Sequence, residues 1–141
     1  MSHQPTTTLV PLIDAACRLR ERAHAPYSRH PVGAALRTTE GVVYTGCNVE
    51  NASYPLGLCA EAAAVAAMVA GGGGMIADIV IAGPGDRPCL PCGGCRQILY
   101  EFAAPKMQVH AVTAGGNVVS HRLGDLLPAA FGPRNLRDPT P

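Results

Sequence analysis

Tryptophan is absent and aromatic residues make up only 4% of the sequence, so the chain has few flat rings on which to stack successive bases of a single strand. Charge is sparse as well. Charged side chains account for 15%, and 11 basic against 10 acidic residues leave +1 overall. That balance supplies no broad basic footprint for a phosphate backbone or an anionic lipid surface. No apolar run approaches the ~20 residues that a membrane helix needs, and the first residues lack the basic-then-apolar pattern of a secretory leader. These absences point to small neutral ligands, to no nucleic-acid polymer and no membrane, and to a cytoplasmic setting.

What is present suffices for a core. Hydrophobic residues reach 48% of 141, enough for one domain over 1–141, with loose termini over about 1–6 and 133–141. Of the six cysteines, Cys89, Cys92 and Cys95 follow one another at every third position. A reducing compartment favours metal or catalytic use of such a run over disulfides.

Apolar residues recur at helical spacing from Thr8 to His24, where Ala25-Pro26 stops them. Val32–Leu36 and Val42–Thr45 read as two strands joined at Glu40-Gly41. From Cys47 to Leu58 the pattern is irregular and polar, as in loops that carry function. An alanine-rich helix follows from Cys59 to Ala70, closed by four glycines. Ile76–Ala82 reads as a buried strand, Gly93–Phe102 as a helix and Met107–Thr113 as a strand. Gly115-Gly116 turns directly into Val118-Val119-Ser120, which makes the last two strands antiparallel. A short helix is expected over Leu123–Ala130. Helices alternating with five strands predict an α/β fold, one sheet covered on both faces.

Two motifs carry chemistry, Cys59-Ala60-Glu61 and Pro91-Cys92-Gly93-Gly94-Cys95. Three thiolates around zinc leave the fourth tetrahedral position open, the arrangement of a catalytic site in which a water becomes acidic near neutrality. Glu61, two residues from a ligand, is placed to pass protons. Each motif opens a helix, whose N-terminal partial charge favours thiolates. The competing reading is a structural knot with Cys89 as fourth ligand. It leaves Glu61 without a purpose and an unpaired carboxylate beside an anionic centre. Pro-Cys-x-x-Cys also occurs a second time, as Pro88-Cys89-Leu90-Pro91-Cys92. Only the Cys92/Cys95 copy has glycines that let backbone amides approach sulfur, whereas Pro91 removes one amide. Cys89 is therefore expected to be a loop thiol.

Together with these motifs, Tyr27-Ser28-x-x-x-Val32-Gly33-Ala34-Ala35-Leu36, Gly46-Cys47-Asn48-Val49-Glu50-Asn51-Ala52-Ser53-Tyr54, Arg96-Gln97 and Leu126–Phe131 make the chain resemble the short-chain, homotetrameric cytidine deaminases. The resemblance implies a three-layer α-β-α domain with a five-stranded mixed sheet and one zinc per subunit. It implies hydrolytic deamination of free cytidine and deoxycytidine to uridine products, in pyrimidine salvage, with active sites shared between subunits. Cys59, Cys92 and Cys95 would hold zinc, and Glu61 would carry protons to ring N3 and the departing amine. Asn48 and Glu50 would bind the sugar 3′-hydroxyl, Tyr54 would sit by the sugar, and the Ala60 amide would bind near the base carbonyl. Phe131 would reach a neighbouring subunit's site.

Two departures stand out. His30 occupies a position where relatives usually carry a phenylalanine packed against the nucleoside, and Ala62 stands where an arginine commonly donates to the ligand sulfurs. Arg96 is a candidate to offset thiolate charge instead. His3, His24, His110 and His121 fall in no such constellation. A deaminase of the blasticidin S type shares the zinc motifs and is the alternative, opposed by the Asn48/Glu50 pair and mildly favoured by His30 and Ala62. A polynucleotide deaminase is opposed by the near-neutral charge and the Gly115-Gly116 turn. A non-catalytic zinc module would need no open position on the metal.

Overall fold

The computed structural model describes residues 8–137, so His3 and the expected loose N-terminus lie outside the described residues. One sheet organises the chain in the strand order β2-β1-β3-β4-β5. Its strands are β1 Gly33–Thr38, β2 Val43–Cys47, β3 Ile76–Ala82, β4 Gln108–Val112 and β5 Val118–Arg122. The β1–β2, β1–β3 and β4–β5 pairs are antiparallel, and β3–β4 is parallel. The β4–β5 connection is the tight turn expected from its glycines, with Gly116 at φ 87° and its N–H bonded to the Thr113 carbonyl.

Period-two alternation sends successive strand residues into separate cores. Ala35, Val80, Ala82 and Val112 meet Leu12, Ala15 and Ala16 of α1, Val10–Arg20. Ala34, Leu36, Ile79, Ile81 and Val109 meet the other helices. These are α2 Ala60–Ala70, α3 Gly93–Glu101 and the short α4 Leu123–Leu126. The sheet is thus the middle of three layers, as the sequence leads one to expect. Its centre is β3, where Ile79 through Ala82 are all fully buried.

Antiparallel pairing of β1 with both neighbours means that β2 and β3 run in the same direction. Their carboxyl ends therefore share one edge of the sheet, the edge where open α/β sheets place ligands. From β2 the chain passes through loop 48–59, including one 3-10 turn at Tyr54–Leu56, into the N-terminus of α2. From β3 it passes through loop 83–92 into the N-terminus of α3. The two cysteine motifs are brought together by this topology.

Three boundaries differ from expectation. The first helix ends at Arg20 rather than His24, because His24 joins an isolated bridge: its N–H donates to the Asn48 carbonyl and its carbonyl accepts from Glu50. The late helix stops at Leu126 rather than Ala130. Pro128 pushes Leu127 out of helical geometry, and Ala129 has a positive φ of 50°. The stretch from Pro133 begins with a helical turn, α5 Arg134–Arg137, which buries no residue.

Close approach of β2 to α2 fixes where the second helix begins. A Cβ at Gly46 would fall 2.5 Å from the Ala60 carbonyl oxygen and from the Ala64 amide nitrogen. Backbone on both sides leaves no flexible side chain to yield. Gly46→Ala is expected to cost about 1–3 kcal/mol or more through overpacking and to weaken zinc retention by displacing α2. Gly74→Ala, where an added Cβ meets nothing within 4 Å, serves as the control. Thermal melts of the two variants check this; equal midpoints would show that the approach is not limiting.

Candidate metal centre and active site

Cys59 and Cys92 occupy the N-cap positions of α2 and α3, both in extended backbone conformation and without a side-chain cap. Cys95 lies within the first turn of α3, and Glu61 within the first turn of α2. The three sulfurs lie within 4.8 Å of one another, and Cys59 Sγ to Cys92 Sγ is 3.9 Å. Tetrahedral zinc with Zn–S of about 2.3 Å requires S···S separations of about 3.8 Å. The set needs only small adjustment. No fourth potential ligand joins this cluster among the described residues, as suits a site with an open position.

Burial chiefly raises the Cys59 and Cys95 thiols above the ordinary value, whereas a hydrogen bond from the Cys95 backbone amide chiefly lowers Cys92. A pocket that holds two thiols neutral becomes a three-thiolate site when a dication supplies the compensating charge. Soft sulfur donors in tetrahedral spacing suit zinc and disfavour magnesium and calcium. The residues present fit it.

Glu61 is 5% exposed, and its Oε2 accepts from the Cys95 thiol at 3.6 Å. Burial is the main cause that raises its carboxyl above the usual carboxylate range. A carboxyl so placed exchanges protons more readily near neutrality than an exposed one.

A cavity of ≈ 240 Å³ opens over this floor, lined by His30, Val32, Asn48, Cys59, Ala60, Glu61, Cys89, Leu90 and Cys92. Five residues singled out from sequence as metal, catalytic or base-binding groups thus meet there, and Asn48 with them. Cys95 contributes from beneath, only 2% exposed. Glu50 and Tyr54 line a neighbouring shallow hollow of ≈ 310 Å³ with Tyr27 and Ser28. Phe131 lines neither and is 59% exposed, its carbonyl held by Gln97. A wider concavity of ≈ 690 Å³ lies beside the end of α1, but none of the ligand cysteines nor Glu61 lines it.

Several roles were not visible from sequence. The Asn48 amide is a clamp on the neighbouring loop: Oδ1 accepts from Val32 N–H at 2.8 Å and Nδ2 donates to the His30 carbonyl at 2.9 Å. Glu50 Oε1 accepts from the Tyr27 and Ser28 amides, and hydrogen bonds from Ser28 are the chief reason its carboxyl titrates low. Arg96 does not face the sulfurs. Its guanidinium donates to the carbonyls of Pro91 and Leu126, tying the ligand loop to the end of α4. Cys89 stands apart from the metal cluster, as expected, yet it lines the cavity with its thiol pushed up to about 11, chiefly by burial.

Metal analysis of single variants tests this arrangement. Cys59→Ser, Cys92→Ser and Cys95→Ser should each lower zinc sharply from one per subunit, and Cys89→Ser should leave it unchanged. Zinc loss in the Cys89 variant would overturn the ligand set.

Comparison with known proteins agrees with the geometry. Residues 7–111 match the family described as the cytidine and deoxycytidylate deaminase zinc-binding region. The chain is 37% identical over 125 residues to a cytidine deaminase of Sporosarcina psychrophila, covering 89% of this chain and 92% of that one. It is 46% identical over 111 residues to the cytidine deaminase of Mycobacterium tuberculosis, covering 78% and 79% respectively. The crystal structure of cytidine deaminase from Burkholderia pseudomallei superposes with a TM-score of 0.83 at 45% identity, over 90% of this chain and all of that one. With the ligand cysteines inside the matched region and the fold shared along most of its length, the chain belongs to the zinc-binding cytidine and deoxycytidylate deaminase family.

Proposed function

We propose that the chain hydrolyses free cytidine and deoxycytidine to uridine and deoxyuridine with release of ammonia. The observation that supports this most is the buried Glu61 carboxyl beside three converging cysteine sulfurs, on the floor of a cavity roomy enough to admit a pyrimidine base. Zinc would be held by Cys59, Cys92 and Cys95 and, when bound, would supply an electrophilic centre that makes a water nucleophilic near neutral pH.

The chain's own residues do the rest. Glu61 takes a proton from the attacking water and delivers it to ring N3, which makes C4 electrophilic. With the water oxygen bonded to C4, Glu61 takes the remaining proton of that hydroxyl and passes it to the 4-amino nitrogen. The C4–N bond then breaks, ammonia leaves, a carbonyl forms at C4 and N3 keeps its proton. The Ala60 amide, at the first turn of α2, donates toward the base carbonyl. The His30 ring borders the base. Asn48 and Glu50 read the sugar 3′-hydroxyl, which both donates and accepts. In this account the hydrogen bonds of Asn48 and Glu50 to loop 27–32 hold both groups in place before substrate arrives. Tyr54, in edge contact with Tyr27 at 5.7 Å between ring centres, flanks the sugar. The near-neutral charge suits a nucleoside better than a polynucleotide.

Tyr54, Leu56, Leu58 and Phe131 are large apolar side chains left exposed on this chain, as suits burial between subunits. We read the working form as a cytoplasmic homotetramer in which Phe131 enters a neighbour's site.

Two outcomes test this reading. Glu61→Gln should keep zinc and fold while kcat for cytidine, followed by ultraviolet absorbance with zinc quantified in the same sample, falls by about 10²–10⁴-fold. Activity near that of the wild type would refute the proton route. Phe131→Ala should raise KM for cytidine more than it lowers the melting temperature, and sedimentation should find a tetramer; an active monomer would refute the shared site.

A further inference from the structure

Histidine in a position that borders a nucleobase brings a difficulty that phenylalanine does not. Its ring carries a polar nitrogen on each side, and a nitrogen left unpaired as water is displaced costs binding energy. The structure meets that difficulty with a thiol nearby. Cys89 Sγ lies 3.7 Å from His30 Nε2, and both residues line the zinc cavity.

The contact is built from both sides. On the His30 side the backbone is fixed: its N–H donates to Ser28 Oγ at 3.0 Å and its carbonyl accepts from Asn48 Nδ2 at 2.9 Å. Only the side-chain torsions of an otherwise exposed imidazole remain free. On the other side, Cys89 is seated against Gly83 at the end of β3. A Cβ at Gly83 would come within 2.4 Å of the Cys89 Cβ, and the Gly83 carbonyl is held by Arg20 Nη1 at 3.0 Å. A chain of contacts therefore runs from α1 through Gly83 and Cys89 to the ring of His30.

We propose that Cys89 is a positioning residue for substrate: its thiol pins the His30 imidazole so that the ring forms a fixed wall of the base pocket. Pinning removes side-chain freedom before binding, so less is lost when the nucleoside enters. The thiol also satisfies the ring nitrogen that faces away from the substrate. Cys89 acts here through His30 and touches neither the metal nor the reacting atoms. The inference rests on the reading of the chain as a deaminase of free cytidine.

Cys89→Ala tests it. KM for cytidine should rise about three- to tenfold, the size of one lost hydrogen bond, with kcat and zinc content close to wild type. The Kd for uridine, measured by calorimetry, should weaken by the same factor. Cys89→Ser, which keeps a donor, should return KM to within about twofold of wild type. In a His30→Phe background the same Cys89→Ala change should shift KM by less than about twofold, because the coupled partner is gone. Equal shifts in both backgrounds, or an unchanged KM in Cys89→Ala alone, would overturn the proposal. Should alanine loosen the fold, the ¹⁵N shifts of the His30 ring in the zinc-loaded wild type decide: one fixed tautomer is expected, and two averaged nitrogens would overturn it. Absence of cytidine turnover in the wild type would instead overturn the substrate reading, and the ring shifts would still report on the contact.

Discussion

The site depends on two helix N-termini meeting at one edge of the sheet. β2 and β3 end on the same side, separated by the antiparallel β1, and each delivers its chain into a helix whose first residues carry cysteine. Neither helix alone offers more than two sulfurs. The close approach of β2 to α2 at Gly46 sets the position of Cys59, and the Arg96 bonds to Pro91 and Leu126 set that of Cys92. Three thiols within zinc-binding distance therefore report on the whole middle layer of the fold. A shift of about 1 Å in either helix would separate the ligand set, given how narrow the range of Zn–S distances is.

Electrostatics then distinguish the three candidate ligands from Glu61, the proton carrier of the proposed reaction. Thiols that burial would keep neutral become ligands when a dication compensates them. The partial positive charge of two helix N-termini assists, since each aligns backbone dipoles toward the sulfurs. Position 62, where an arginine could reach the sulfurs, is alanine, and the Arg96 guanidinium donates to the carbonyls of Pro91 and Leu126 rather than to sulfur. Glu61 needs the opposite environment from the ligands. Burial raises its carboxyl above the usual carboxylate range, the direction that the proton shuttle of the proposed reaction calls for.

The fold and the ligand set were legible because their signals are local. Cysteine at two helix starts, Glu two residues beyond the first, and a Gly-Gly turn that forces an antiparallel pair are each readable within a few residues. What was not legible depends on distant partners. His24 leaves the first helix to pair with Asn48 and Glu50, more than 20 residues on. The Asn48 amide gives two of its hydrogen bonds to the loop that carries His30. Cys89 gains its place from Gly83 and from His30, 59 positions away. Arg96, a candidate from sequence to offset thiolate charge, has its guanidinium turned toward α4. Spacing along the chain identifies which groups are available; packing decides what they face.

The claim on which the account stands is an open three-thiolate zinc centre that excludes Cys89. X-ray absorption at the zinc edge of the loaded protein tests it most directly. The account predicts three sulfur scatterers at about 2.3 Å and one lighter oxygen or nitrogen scatterer. A shell of four sulfurs would contradict it, leaving no position at which a water could be activated.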